Sequence, residues 1–216
     1  KIKGAFLVTE IIHQEIGRLI GYEITREKKN FCIVESISEG IQEELPKIIR
    51  RIHLLMLDIT ETLYEASKNN DKSALKIIHE KHETIIRFIN YCLRSGAKEL
   101  DREHPITNSE YYMLACFDRI VHLIRSSAKR LLKLEFKPSD KLVEVIGKTV
   151  ETLRLFTKFV YQRKSIMVVD MNNLRYEVEN LITNRETNLE GEQDLVFYHM
   201  RHIHHLLLDI CDVQGT

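Results

Sequence analysis

Residues 45–66 read LPKIIRRIHLLMLDITETLYEA, and apolar side chains recur there every three or four residues. This spacing places them on one face of an α-helix, which has about 3.6 residues per turn. The apolar stripe is narrow, with a period near 3.5, and such a stripe favours packing against near-parallel helices. Pro46 falls in the first turn, where proline is tolerated. The stretch therefore predicts a long amphipathic helix of a helical bundle.

The same period returns in five further stretches downstream of residue 70. Residues that start or stop helices separate most of them, namely Asp71, Thr107 or Asn108, Pro138 with Ser139, and Gly191. The predicted fifth helix centres on residues 167–181. We therefore predict six long helices, and the short connections make consecutive helices antiparallel neighbours.

Two segments of the chain resemble each other. Residues 120–124 read IVHLI and residues 203–207 read IHHLL, and their central histidines, His122 and His205, are 83 residues apart. Each segment falls in the last helix of a set of three, as expected for a tandem repeat. We predict two three-helix bundles joined end to end, over residues 39–136 and 137–216.

The N-terminal residues 1–38 have a different pattern. Residues 8–20 predict a short amphipathic helix that Gly21 ends. Residues 22–37 read YEITREKKNFCIVESI, with apolar side chains at every second position in two arms around a polar turn at residues 28–30. This alternation predicts a β-hairpin. It must pack on the preceding helix, on the helical body or on another chain, because a lone hairpin is marginally stable. The predicted fold class is all-α, two tandem three-helix bundles preceded by this helix and hairpin.

Composition excludes several classes of function. The 32 Lys and Arg residues balance 32 Asp and Glu residues, and a formal net charge of zero argues against a general polyanion-binding protein. No apolar run approaches the roughly 18 residues that span a bilayer. The four cysteines lack zinc-finger spacing, so we expect reduced thiols in a cytoplasmic protein.

Histidines are concentrated in the predicted sixth helix, where four of the ten lie within residues 199–205. His202, His205 and Asp209 share one side of that helix, and imidazole and carboxylate groups so spaced can hold a divalent ion. A polar helix flank without metal is the alternative. In the third helix Asp118 and His122 form a similar pair, at a spacing of four residues.

The Asp118–His122 pair has cationic neighbours, because Arg125 and Lys129 follow on the same face and oppose a bound cation. An ordinary helix surface, with Asp118 in contact with His122 or Arg125, is therefore the alternative. In the second helix His82 lies on the apolar face, where we expect a core residue with one hydrogen bond. The chain lacks a Gly-rich phosphate loop, a serine elbow and an HExxH motif, so no catalytic site is predicted.

Four stretches of the chain resemble the PhoU family of phosphate-uptake regulators, in the version common in archaea. They are residues 18–37 (RLIGYEITREKKNFCIVESI), residues 44–66, residues 91–95 (YCLRS), and the pair CFDRIVHL and MRHIHHLL at residues 116–123 and 200–207. The resemblance implies two three-helix repeats in a cytoplasmic adaptor without enzymatic activity. Its partners would be a subunit of the phosphate ABC transporter or a sensor protein, and we expect a homodimer.

The resemblance also implies two alternatives. Archaeal members often carry an AbrB-like DNA-binding domain ahead of the hairpin, so the chain could be the helical module of a truncated transcriptional regulator. Some members bind metal through an acidic residue and an Asp four apart on the third helix of each repeat. These positions fall on Asp118 with His122 and on Arg201 with His205, so one acid of four is present. Histidine in place of carboxylate suits zinc or nickel, or it marks a repeat that has lost metal. A metal sensor or oxidoreductase that holds zinc, nickel or iron at His202, His205 and Asp209 is the second alternative.

Overall fold

Seven helices and three strands make up the residues that the computed structural model describes, which are 2–3, 10–17, 19, 22–28, 31–36, 45–98, 106–184 and 191–215. In chain order the elements are β1 (Ile2–Lys3), α1 (Glu10–Gly17), β2 (Tyr22–Lys28), β3 (Phe31–Ser36), α2 (Leu45–Asn69), α3 (Lys72–Lys98), α4 (Asn108–Leu132), α5 (Asp140–Gln162), α6 (Ser165–Thr183) and α7 (Glu192–Gly215). The six long helices α2–α7 confirm the predicted all-α class. No described helix combines the length and the apolar character needed to cross a bilayer.

The break between α2 and α3 follows from two adjacent polar residues. Asn70 has a φ of 52°, in the left-handed region that asparagine adopts more readily than most side chains. Asp71 then caps α3, because its Oδ1 accepts hydrogen bonds from the backbone N–H groups of Ser73 and Ala74 at 2.9 and 3.0 Å. The predicted cap at Asp71 is confirmed.

Side-chain caps also fix the starts of α4 and α5. Thr107 Oγ1 accepts a hydrogen bond from the N–H of Glu110, and Glu110 Oε2 accepts one from the N–H of Thr107, which together form a capping box. Thr107, and not Asn108, is therefore the cap of α4. Ser139 caps α5 through a hydrogen bond from the N–H of Leu142 at 3.3 Å.

The two bundles lie side by side. Helices α2, α3 and α4 form the first, α5, α6 and α7 form the second, and α4 runs along α7 while α2 runs along α5. Where they meet, Phe117 and Phe156 pack edge to face with ring centroids 6.0 Å apart. The predicted end-to-end junction is wrong. Because α4 buries Cys116 and Ile120 beside Phe117 and Val121, its apolar face is wide enough for neighbours in both bundles.

Buried residues of all six long helices belong to one hydrophobic cluster. The side-by-side arrangement thus gives the two bundles a common core. The predicted divisions at residues 38/39 and 136/137 remain a prediction, and the first of them lies outside the described residues.

The N-terminal segment contains a three-stranded antiparallel sheet in the order β1-β3-β2. The predicted hairpin is confirmed, with Lys28 paired to Phe31 and Tyr22 paired to Ser36. Strand β1 was not predicted, because a two-residue strand shows no alternation. It pairs Ile2 with Cys32.

All four cysteines, Cys32, Cys92, Cys116 and Cys211, are free and buried. Burial raises the pKa of the Cys92 thiol to about 12, and burial followed by the nearby Asp212 carboxylate raises that of Cys211 to about 12. These thiols are therefore protonated and unreactive in the folded protein.

Candidate metal centre

Three side chains of α3 form the group best arranged to hold a metal ion in the described part of the chain. The ligand atoms of His79, His82 and Glu83 all lie within 4.8 Å of one another. Glu83 Oε1 is 3.4 Å from His82 Nδ1 and 4.0 Å from His79 Nδ1. Positions i, i+3 and i+4 place the three groups on one side of a helix, and two imidazoles with a carboxylate are ligands that zinc accepts.

His82 is the buried member of this group. Its side chain is 2% exposed, and neither ring nitrogen makes a hydrogen bond of good geometry. Burial, and then the charges of His122 and Arg125, lower the pKa of His82 to about 4. In place of the expected hydrogen bond, Nδ1 makes a long contact of 3.4 Å with Glu83 Oε1. A neutral ring keeps one lone pair that can bind a metal ion.

The predicted pair Asp118 and His122 lies beside this group, on α4. The rings of His82 and His122 are perpendicular, with centroids 4.7 Å apart. His122 Nδ1 donates a hydrogen bond to the backbone oxygen of Asp118 at 2.8 Å and lies 3.7 Å from Asp118 Oδ2. Because a carbonyl oxygen only accepts, Nδ1 carries a hydrogen, and Nε2 is the nitrogen left to bind a metal ion, as is common in metal-binding histidines.

Arg125 opposes a cation at this site. Its Nε donates a hydrogen bond to His79 Nδ1 at 3.1 Å. A metal ion bound at Nδ1 must displace this guanidinium group. The sequence predicts that Arg125 opposes a cation at the Asp118–His122 pair, and in the structure its guanidinium group contacts His79 of α3 instead. Asp118 contacts His122.

The other predicted site, on α7, is arranged differently. His202, His205 and Asp209 are all described, but their ligand atoms do not form a close group like that on α3. His205 Nε2 lies 3.4 Å from Glu179 Oε1 on α6. Arg175 donates a hydrogen bond to the same oxygen at 2.8 Å, which places a positive charge beside any ion held there. Metal binding at this triad remains a prediction.

The two other histidines of the α7 cluster connect helices. His199 Nδ1 lies 3.0 Å from Ser127 Oγ on α4. His204 is fully buried, with its ring nitrogens 3.2 and 3.3 Å from the hydroxyls of Thr149 and Thr152 on α5. Burial is the main cause that lowers the pKa of His204 to about 3, so the ring is neutral. Two of the four histidines of this cluster therefore make contacts between helices.

Sequence reasoning missed the α3 group for an identifiable reason. The spacing of His79, His82 and Glu83 is as regular as that of the α7 triad. His82, however, also belongs to the apolar stripe, and a residue on that stripe was assigned to the core alone. In the structure the ring is buried in the core, and its Nδ1 lies 3.4 Å from Glu83 Oε1.

No family model and no curated protein sequence matches the chain. Among solved structures, the chain is similar to the crystal structure of the phosphate transport system regulatory protein PhoU from Streptococcus pneumoniae. The TM-score is 0.62 and the identity 16%, and the match covers 79% of this chain and 91% of that protein. At so low an identity the similarity shows the fold alone: this chain has a PhoU-like helical fold.

Proposed function

We propose that the chain is a regulator of phosphate uptake, similar to PhoU, that acts by contact with other proteins and has no enzymatic activity. The observation that carries the proposal is the fold, two three-helix bundles side by side, which matches PhoU over 91% of that protein's length. The resemblance of residues 18–37 and 44–66 to the PhoU family points the same way.

The expected partners are a subunit of the phosphate ABC transporter or a sensor protein, and a second copy of the chain. The expected location is the cytoplasm. The helical module of a DNA-binding regulator is the alternative, and it also fits an interaction role.

Affinity purification from phosphate-replete and phosphate-starved cells of the source organism tests the proposal. A transporter subunit or sensor protein should be enriched in one condition relative to an unrelated tagged protein. Deletion of the gene should also change the rate of phosphate uptake in replete medium. Normal uptake in the deletion strain, with no transport or sensor protein captured in either condition, would contradict the proposal.

A second proposal concerns metal. We propose that the first bundle binds one divalent transition metal ion, zinc, nickel or iron, through His79, His82 and Glu83, with His122 beside them. The close grouping of three ligand atoms around a neutral buried imidazole favours this site over His202, His205 and Asp209.

Titration of metal-free protein, purified without a histidine tag, distinguishes the two sites. Zinc should bind at about one ion per chain, and Glu83→Gln should weaken it by roughly tenfold or more, as for loss of a ligand. His202→Gln is the matched control on α7 and should leave binding unchanged. The reverse pattern would assign the ion to α7, and no binding in any form would refute both sites.

A further inference from the structure

The outer side of α4 contains an open depression of about 620 Å³ whose described lining residues all belong to that helix. Its polar lining consists of three cations, an imidazole, a hydroxyl and one carboxylate: Arg119, Arg125, Lys129, His122, Ser126 and Asp118. Apart from the imidazole, three positive charges face one negative charge. The depression is therefore locally basic although the chain as a whole has no net charge.

The cations of the depression are available to a ligand. Arg119 and Lys129 are exposed and form no ion pair within the described ranges. Arg125 uses its Nε for His79, so its two terminal nitrogens remain as donors. The one carboxylate, Asp118, lies 3.7 Å from His122 Nδ1 instead of neutralising an arginine. Unpaired cations around a concave surface attract an anion within about 8–10 Å, the range that salt leaves unscreened.

The repeat shows that the fold does not require these charges. At an offset of 83 residues the α7 positions that match Arg119, Arg125 and Lys129 carry His202, Leu208 and Asp212. These α7 positions are equivalent by the sequence repeat, and they lack the excess of cations. The excess of cations is therefore specific to α4. The fold does not require such cations on an exposed helix of a bundle.

We propose that this depression binds a short inorganic polyphosphate, an anion with several phosphate groups in a row. Arg119 and Lys129 are ten residues apart, about 15 Å along the helix axis, so one phosphate group cannot contact all three cations. Guanidinium groups bind phosphate oxygens in pairs, and the Ser126 hydroxyl adds a donor between them. Neither aromatic side chain nor extended apolar wall lines the described surface, so a nucleobase would find no stacking partner.

Isothermal titration with phosphate, pyrophosphate and tripolyphosphate tests the proposal, with EDTA present so that a metal on α3 plays no part. Tripolyphosphate should bind at least about tenfold more tightly than phosphate, because it reaches more of the charge-assisted donors. Added sodium chloride should weaken the binding, since exposed charges are screened.

The double variant Arg119→Glu with Lys129→Glu should weaken tripolyphosphate binding by at least about tenfold, and Arg125→Gln by a smaller factor. The control, Lys158→Glu with Lys164→Glu, makes the same change of charge at exposed positions that do not line the depression. It should leave the affinity unchanged within about twofold. Unaltered circular dichroism shows that each variant is folded. Three results would each overturn the proposal: no binding, equal loss in the control, or phosphate that binds as tightly as tripolyphosphate.

Discussion

Two fully buried histidines differ in what their ring nitrogens meet. His53 packs against the rings of Phe117, Phe156 and Tyr161, and neither of its nitrogens makes a hydrogen bond. His204 has a threonine hydroxyl within hydrogen-bond distance of each nitrogen. Burial lowers the pKa of His53 to about 4, so both rings are neutral at physiological pH. His53 thus has no hydrogen-bond partner for its ring nitrogens, whereas His204 can donate its N–H to a threonine hydroxyl.

We expect His53→Leu to raise the free energy of unfolding by about 1–2 kcal/mol at neutral pH. The change removes two buried polar atoms without partners and keeps a side chain of similar size, and such replacements can stabilise a protein. His204→Leu is the matched control and should lower stability by about 1 kcal/mol, because it removes hydrogen bonds. Urea titration measures both. A loss of stability in His53→Leu as large as in His204→Leu would show that the His53 nitrogens are satisfied.

The same residue makes stability depend on pH. His53 titrates at 6.5 in the unfolded chain and at about 4 in the folded protein, so between these values only the unfolded state binds the proton. The titration of His53 therefore leaves the free energy of unfolding unchanged well above pH 6.5. As the pH falls towards 4, the same titration lowers that free energy by on the order of 3 kcal/mol. Unfolding by urea from about pH 7 down to about pH 4.5 should show a shallower decline for His53→Leu than for the natural protein. Parallel curves for the two proteins would contradict this account.

At the scale of elements, the apolar period and the capping residues predicted α2–α7 well. The period decides which face a helix buries, and Asp71, Thr107 and Ser139 satisfy N–H groups that a helix start leaves without partners. Strand β1 is too short to show a period. The grouping of His79, His82 and Glu83 is not predicted, because His82 fits both the apolar stripe and the spacing of a ligand.

Thr107→Ala should lower the free energy of unfolding by about 1 kcal/mol, the usual value for loss of an N-cap. Asn108→Ala is the control, because Asn108 begins α4 but does not supply the cap. Its effect should stay within about 0.5 kcal/mol, as for most surface changes. Thermal or urea unfolding of the two variants measures the difference, and a larger loss in Asn108→Ala would place the cap at residue 108.

At the scale of the whole molecule, the number and order of helices followed from the sequence, but the side-by-side contact of the bundles did not. An apolar stripe predicts that a face is buried without saying how many neighbours cover it. In α4 the apolar stripe is wide, since Cys116 and Phe117 are both buried, and this width indicates that more than one neighbouring helix covers it. Likewise the α7 histidines appeared as one ligand cluster, whereas His199 and His204 contact α4 and α5. Contacts between distant helices decide such roles.

The common core predicts that the bundles unfold together. Phe156 is 1% exposed and touches Phe117 and His53 of the first bundle, so Phe156→Ala should lower stability by about 3–5 kcal/mol in one cooperative transition. Arg154→Gln is the control, since it removes only the exposed ion pair with Glu61 across the same junction and should cost less than about 1 kcal/mol. Two separate transitions in urea, with only one of them shifted by Phe156→Ala, would show that the bundles are independent units.

The four buried cysteines give the protein a built-in reporter of opening. A thiol with a pKa of about 12, as for Cys92 and Cys211, has almost no thiolate at neutral pH, and alkylating reagents react with the thiolate. Labelling by iodoacetamide should therefore proceed only as fast as the molecule opens and should accelerate in every destabilised variant. Thiols of Cys92 in the first bundle and Cys211 in the second should be protected to the same degree, since the two bundles share a core. Mass spectrometry of each labelled peptide checks this, and much faster labelling at one of the two would show that its bundle opens alone.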